Sequence, residues 1–230
     1  LPRAIADREL TVSTRGPNGK AGTNRLTSVI ASYLRERRQA SNLSQNQLAG
    51  LSRGGVGEFD HSWVSQWELA GPKEGAIKTF NYLNLLGADT ELIGELLQLP
   101  IVDLEIPEST TSRQAVGKAQ QLAESSDFGA ALSWSLAAVE LAERAGEPIE
   151  LSGAWLVFSI CAKRLEKMRA AEFAVGRALA WDELSETAPA LFASAGIQAA
   201  VVHTNRGRPQ HAHSVLDRVE SSLAEYAPHL

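Results

Sequence analysis

The residues whose types and spacing are best suited to chemistry lie between positions 60 and 68. There His61, Ser62, Ser65 and Gln66 interleave with Val64 and Trp67, and Glu68 follows. On a helix, Val64 and Trp67 share the buried side, which turns Ser62, Ser65 and Gln66 outward to solvent or to nucleic acid. The chemistry on offer is hydrogen bonding, not bond making. A glutamine amide donates and accepts side by side, and a serine hydroxyl does either.

Groups for catalysis are sparse. The histidines are His61, His203, His211, His213 and His229. His211 and His213 diverge by about 200° on a helix. The lone Cys161 sits beside Ile160 in an apolar run, where a buried thiol is expected, and it excludes an internal disulfide and a cysteine-rich zinc site. Asp182-Glu183 reads as solvated helix surface. The glycine-rich run Arg53-Gly54-Gly55-Val56-Gly57-Glu58 has neither the following lysine-serine pair nor the preceding strand of a phosphate-cradling loop. No enzyme, metal or cofactor is expected, and His61 has no second ligand nearby in sequence.

The chain of 230 residues carries a net charge of −5, 44% hydrophobic and 21% charged residues, which excludes wholesale disorder. Residues 1–40 hold eight basic residues against three acidic ones, while 101–230 hold eleven against seventeen. A basic end and an acidic end suit contact of one region with a polyanion. No apolar run reaches the roughly 18 to 20 residues of a membrane span, and no signal-peptide core is seen, so a cytoplasmic location is expected.

These residues are positioned by helices. Residues 1–25, with Gly16, Pro17, Asn18, Gly19 and Gly22, read as an arm. A domain over 26–98 holds five helices. The first carries the stripe Leu26, Val29, Ile30, Tyr33 and Leu34. The second is capped by Ser44 with Leu48 and Leu51 inward, and the third runs from Asp60 to Leu69 before Gly71-Pro72. The fourth spans about 74–86, carries Ile77, Phe80, Leu83 and Leu86 and ends at Gly87, and the fifth spans about 90–98. Pro100 and Pro107 make 99–111 a linker.

From 112 to 230 the chain is alanine-rich and helical, so the whole is all-α. Turn sequences recur at forty-residue intervals at Asp127, Lys167 and Gly207. They imply helices near 113–125, 128–145, 149–166, 169–185, 189–204 and 209–226. Three hairpins follow, either as a right-handed stack with a groove or as a plain bundle.

The stretch Leu43-Ser44-Gln45-Asn46-Gln47-Leu48-Ala49, with Val64-Ser65-Gln66-Trp67-Glu68 and Gly71 after it, resembles the helix-turn-helix of the lambda-repressor-like (Cro/CI, Xre) family over residues 26–98. The resemblance implies that the third helix enters the major groove of double-stranded DNA and that His61, Ser62, Ser65 and Gln66 lie at the bases. Phosphate contacts would come from Ser44, Gln45 and Lys73, and from Arg15, Lys20 and Arg25 of the arm unless it is simply solvated. Ala49 would allow close crossing of the second and third helices, and Arg38 would pair with Glu68. The chain departs from the family between Ala49 and Glu68, where 53–58 lengthens the turn. Trp63 then either packs under that loop or faces DNA.

The C-terminal hairpins are similar to tetratricopeptide repeats, and the combination resembles bacterial cytoplasmic peptide-sensing regulators. That resemblance implies a homodimer and an effector groove with Trp155, Ser159, Lys163, Ser194, Gln198 and Asn205 as its candidates. A short peptide, a protein partner or dimerisation alone are the possible occupants. An interaction module of antitoxin or scaffold type, in which the helix-turn-helix is structural, is the competing class.

Overall fold

The computed structural model describes residues 21–71, 76–181 and 183–226. Among these the chain is helical with no strand, and no helix is long and apolar enough to cross a membrane. The elements of the first half are α1 (Ala21–Ala40), α2 (Gln45–Leu51), α3 (His61–Ala70), α4 (Ala76–Leu85) and α5 (Thr90–Leu97). Those of the second are α6 (Ser112–Glu124), α7 (Phe128–Ala145), α8 (Pro148–Arg164), α9 (Met168–Ala178), α10 (Leu184–Thr187), α11 (Pro189–Asn205) and α12 (Pro209–Tyr226).

Local chemistry explains where the first helices begin. Ser44 accepts the Gln47 N–H while the Gln47 side chain accepts the Ser44 N–H, a reciprocal cap at the start of α2. Asp60 accepts the Trp63 N–H at 2.8 Å and opens α3, and Asp89 does the same for Leu92 at 2.9 Å in α5. Residues 21–25, expected to belong to the arm, are part of α1, and the rest of the expected arm lies outside the described residues.

The second half is built from pairs. Helix α6 packs on α7, α8 on α9 and α11 on α12, while α7 meets α8 and α9 meets α11. The turns inside the three pairs share one geometry. Ser126, Glu166 and Gly207 each take a positive φ, at 65°, 60° and 70°. The next N–H in each case reaches back five residues, Asp127 to Leu122, Lys167 to Ala162 and Arg208 to His203, all at 2.9 Å. The third turn therefore aligns on Arg208, one residue beyond the Gly207 suggested by the sequence.

The helix expected over 169–185 is broken. Helix α9 stops at Ala178, and α10 is a separate turn starting at Leu184, where Leu184 packs with Phe192 and Val219 in a small core of its own. The linker 99–111 has no helix, as its prolines require, but it is not loose. Leu99 is buried, the Val102 N–H donates to Ser133 Oγ at 2.9 Å, and the Pro100 carbonyl lies where a Cβ on Gly129 would be, at 2.8 Å.

The two halves accordingly share one core, running from Leu26, Ile30 and Leu34 through Leu92 and Leu96 to Ala115, Ala131 and Trp155. Tyr33 meets Phe173 edge to face across the junction, and Arg25–Glu140, Glu36–Arg177 and Asp89–Arg169 form ion pairs over it. Leu51, expected on the inner side of its helix, is 57% exposed, and two of the apolar residues of α4, Ile77 and Phe80, are 61% and 62% exposed. Period alone selects a face of a helix, but in helices this short Leu48, Tyr82 and Leu83 already fill the interior.

Candidate nucleic-acid interface

Helix α3 is fixed in rotation by its buried side. Val64 and Trp67 are fully buried, and the rings of Phe59, Trp63, Trp67 and Tyr82 stand 5.1–5.7 Å apart in one cluster. Trp63 is half-buried with its ring stacked on Phe59, so it packs instead of facing outward. Ala49 is buried, and α2 packs directly on α3.

The same anchoring turns a polar row outward. His61, Ser62 and Gln66 are exposed and Ser65 is half-buried. The Gln66 amide reaches back to Ser62 Oγ at 3.5 Å, so the two side chains lie one above the other on this face. Leu69, 64% exposed, continues the row one turn later.

Behind this face is a buried charge with its partners supplied. Glu68 is 2% exposed and accepts two hydrogen bonds from Arg38, Nε to Oε1 at 2.6 Å and a terminal nitrogen to Oε2 at 2.9 Å. Gln45 Nε2 donates to Oε2 at 2.9 Å, and Tyr82 O–H approaches Oε1 at 3.3 Å. Arg38 also donates to the Leu43 carbonyl, and Arg35 to the carbonyl of Glu68 itself. Burial pushes the Glu68 carboxyl upward, but the hydrogen bonds of Arg38 and Gln45 and the charges of Arg38 and Arg35 outweigh it, so the group sits below the ordinary carboxylate range. Burial, then the charge of Glu68, raises the Tyr82 phenol and keeps it protonated.

This network revises one assignment. The Gln45 amide is committed to Glu68 and is not poised at a phosphate. Ser44 remains exposed at the start of α2, where it serves as the cap. Arg25 lies in α1 with its guanidinium on Glu140 at 2.8 Å, which removes it from an arm. Arg15, Lys20 and Lys73 lie outside the described residues.

The lengthened turn is closed at its base by Ser52, a residue the motif reading passed over. Its oxygen accepts the Phe59 N–H at 3.1 Å, and its single proton serves the Ala49 carbonyl at 2.8 Å or the Phe59 carbonyl at 2.9 Å. Both ends of the turn are thereby pinned to one buried side chain, and residues 53–58 loop out without disturbing α3. The only sequence signal was a serine directly before a glycine-rich run, which is equally common in open loops.

The six residues suggested for an effector groove do not share an open surface. Trp155 is buried against Phe158 and Phe173, Ser159 donates to the Ala171 carbonyl at 2.8 Å, and Gln198 donates to Ser159 at 3.3 Å inside the core. Lys163 is half-buried, while Ser194 and Asn205 are exposed on α11. Aromatic and amide residues on these helices hold helices together. A different hollow of about 280 Å³ opens where α9 breaks, lined by Ile149, Glu150, Trp181, Glu183 and Thr187.

Burial pushes the Cys161 thiol up to about 12, which leaves it protonated and inert. His203 and His211 stand 5.8 Å apart, with His203 held below its ordinary value by burial, then by His211 and Arg208. Among the described residues no three histidine, cysteine or acidic side chains gather as a metal site. No family model, curated protein or solved structure matches the chain.

Proposed function

We propose that this chain is a sequence-specific, dimeric DNA-binding transcription regulator of the lambda-repressor-like type, with a tetratricopeptide-like second half through which its binding is modulated. The observation that carries the reading is the two-sided α3. Val64 and Trp67 lock it to the core, while His61, Ser62 and Gln66 form an exposed row of donors and acceptors along one face. A helix held this way fits the major groove, whose base edges present matching patterns. Arg38 of α1 and Gln45 of α2 both bond to Glu68, which holds α3 against the two helices beside it.

Modulation has a physical route. Helix α1 packs on α3 and also on α7, so a shift in the second half is felt at α3 without crossing a flexible linker. The repeated turn geometry at Ser126, Glu166 and Gly207 supports a stack of like hairpins, an architecture that offers surface for a peptide or protein effector.

The test is recovery of DNA from a random pool by the purified full chain. A two-fold symmetric consensus, bound with an affinity that falls with salt by about 0.9 log units per log unit for each phosphate contact, is the expected result. Recovery without a consensus and with no salt dependence would assign the fold to protein–protein interaction.

A further inference from the structure

Helix α3 carries one large apolar side chain on its outer face. At about 100° per residue, the buried side of Val64, Trp67 and Glu68 lies opposite a strip made of Ser62, Gln66 and Leu69. Leu69 is 64% exposed and sits well away from the edge of the core. Its main chain is fixed from several directions. Arg35 of α1 donates to the carbonyl of Glu68, and the Gly71 N–H donates to the Trp67 carbonyl at 2.9 Å. Gly71, at φ 77°, is seated on α1, where a Cβ would stand 2.8 Å from the Thr27 carbonyl oxygen. The leucine cannot roll inward, so the fold holds it out in water. A scattered exposed leucine needs no explanation. This one is held in line with Ser62 and Gln66, in the middle of the row proposed to enter a groove.

The chemistry of that row limits what Leu69 can meet. No carboxylate stands on the strip: Glu68 is turned inward onto Arg38, and Asp60 caps the helix. The floor of the major groove is polar except for the 5-methyl group of thymine. Packing a leucine on a base-edge donor or acceptor would leave that group unpaired, whereas packing it on the methyl group does not. Leu69 follows Gln66 by three residues, about 4.5 Å along the helix axis. Successive base pairs stand about 3.4 Å apart. An amide on an adenine edge therefore brings the leucine to the same base pair or the next.

We infer that Leu69 is a specificity-determining residue, meeting the 5-methyl group of a thymine within one base pair of the base read by Gln66. The inference rests on the regulator reading and deepens it by naming the base and the group recognised. The experiment uses the full chain and its selected DNA site, with each thymine replaced singly by deoxyuridine. That exchange removes the methyl group and keeps every hydrogen-bonding group. Binding should weaken about fourfold at one position, the worth of one buried methyl group. Leu69→Ala should bind thymine and uracil equally there, whereas Leu69→Met, which keeps the apolar reach, should retain the distinction. Thermal unfolding of Leu69→Ala should match the wild type, since the side chain is exposed. Indifference of the wild type to every uracil, or a Leu69→Ala chain that keeps the wild-type distinction, overturns the inference and leaves the regulator reading in place. Equal losses by Leu69→Ala on the selected site and on random duplex overturn it too, by assigning Leu69 to the backbone. A chain that selects no consensus removes the regulator reading and this inference with it.

Discussion

The carboxylate of Glu95 accepts the backbone N–H of Ala170 at 2.9 Å, so a side chain of α5 caps a helix of the opposite half. The residue preceding α9 is Lys167, which has no acceptor to offer and makes no side-chain cap. The first turn of α9 leaves N–H groups without partners, and a negative charge is favoured there. Arg169, in the same turn, reaches Glu91 at 2.7 Å and Asp89 at 3.2 Å. The start of α9 is thus completed by α5, and docking of the halves is part of how each is folded.

Glu95→Ala should cost about 1 kcal/mol, the usual loss for a helix cap. Because the cap crosses the junction, amide exchange at Arg169, Ala170 and Ala171 should quicken together with exchange in α5. Chemical denaturation and hydrogen exchange of the purified chain measure both. Faster exchange in α9 alone, with α5 untouched, would show that the halves fold independently.

Glu68 makes stability depend on pH in a definite direction. Its folded value lies below that of an unfolded carboxyl, near 4.3, so the stabilisation is full above that value and is lost as pH falls through the folded one. The groups that face it are Arg38 and Arg35 from α1, Gln45 from α2 and Tyr82 from α4. Glu68→Gln should remove about 3 kcal/mol at neutral pH, because Arg38 is left nearly buried without its charge partner. It should also flatten the acid limb of the stability curve. Urea titrations of both proteins across that limb supply the comparison, and parallel curves would mean that another carboxylate sets the acid limit.

How much of this was legible beforehand depends on the range of the interaction concerned. Ser44, Asp60 and the Arg38–Glu68 pair act locally or through a motif, and each is where the sequence puts it. The helix starts and ends of the second half also follow closely apart from the break after Ala178, since proline, glycine and alanine content act within a turn or two. What failed depends on partners far along the chain. The exposure of Leu51 turns on how little interior the short helix α2 faces. Trp155, Ser159 and Gln198 have types that suit a binding groove, and only the stacking of α8 on α9 and α11 reveals them as interior. Gln45 looked like a phosphate contact until Glu68, distant in sequence, claimed its amide.

The three repeated turns carry an internal comparison of stability. Gly207 takes its positive φ freely, whereas Ser126 and Glu166 adopt the same conformation with a Cβ. The left-handed region costs a side-chain-bearing residue about 1–2 kcal/mol, partly offset because glycine also loosens the unfolded chain. Glu166→Gly and Ser126→Gly should each therefore stabilise the protein, by up to about 1 kcal/mol, and Gly207→Ala should destabilise it by a similar amount. Thermal unfolding of the three variants gives the ordering. Destabilisation by Glu166→Gly would mean that its side chain does work at the turn beyond permitting it.

The last expectation concerns base reading. Gln66 lies on the exposed face of α3 with its amide beside Ser62, and a glutamine amide matches the paired donor and acceptor of an adenine edge. Gln66→Ala should lose about 1–3 kcal/mol of discrimination at one position of the selected DNA site, roughly a 5- to 150-fold loss against that base. Binding to random DNA should barely change, and the salt slope should stay the same, because no phosphate contact is removed. Thermal stability should also hold, since the side chain is exposed. Binding titrations on the selected site, on its single-base variants and on random duplex decide the matter. Equal losses on all three would place Gln66 at the backbone and leave base reading to His61 and Ser62, the other exposed members of the row.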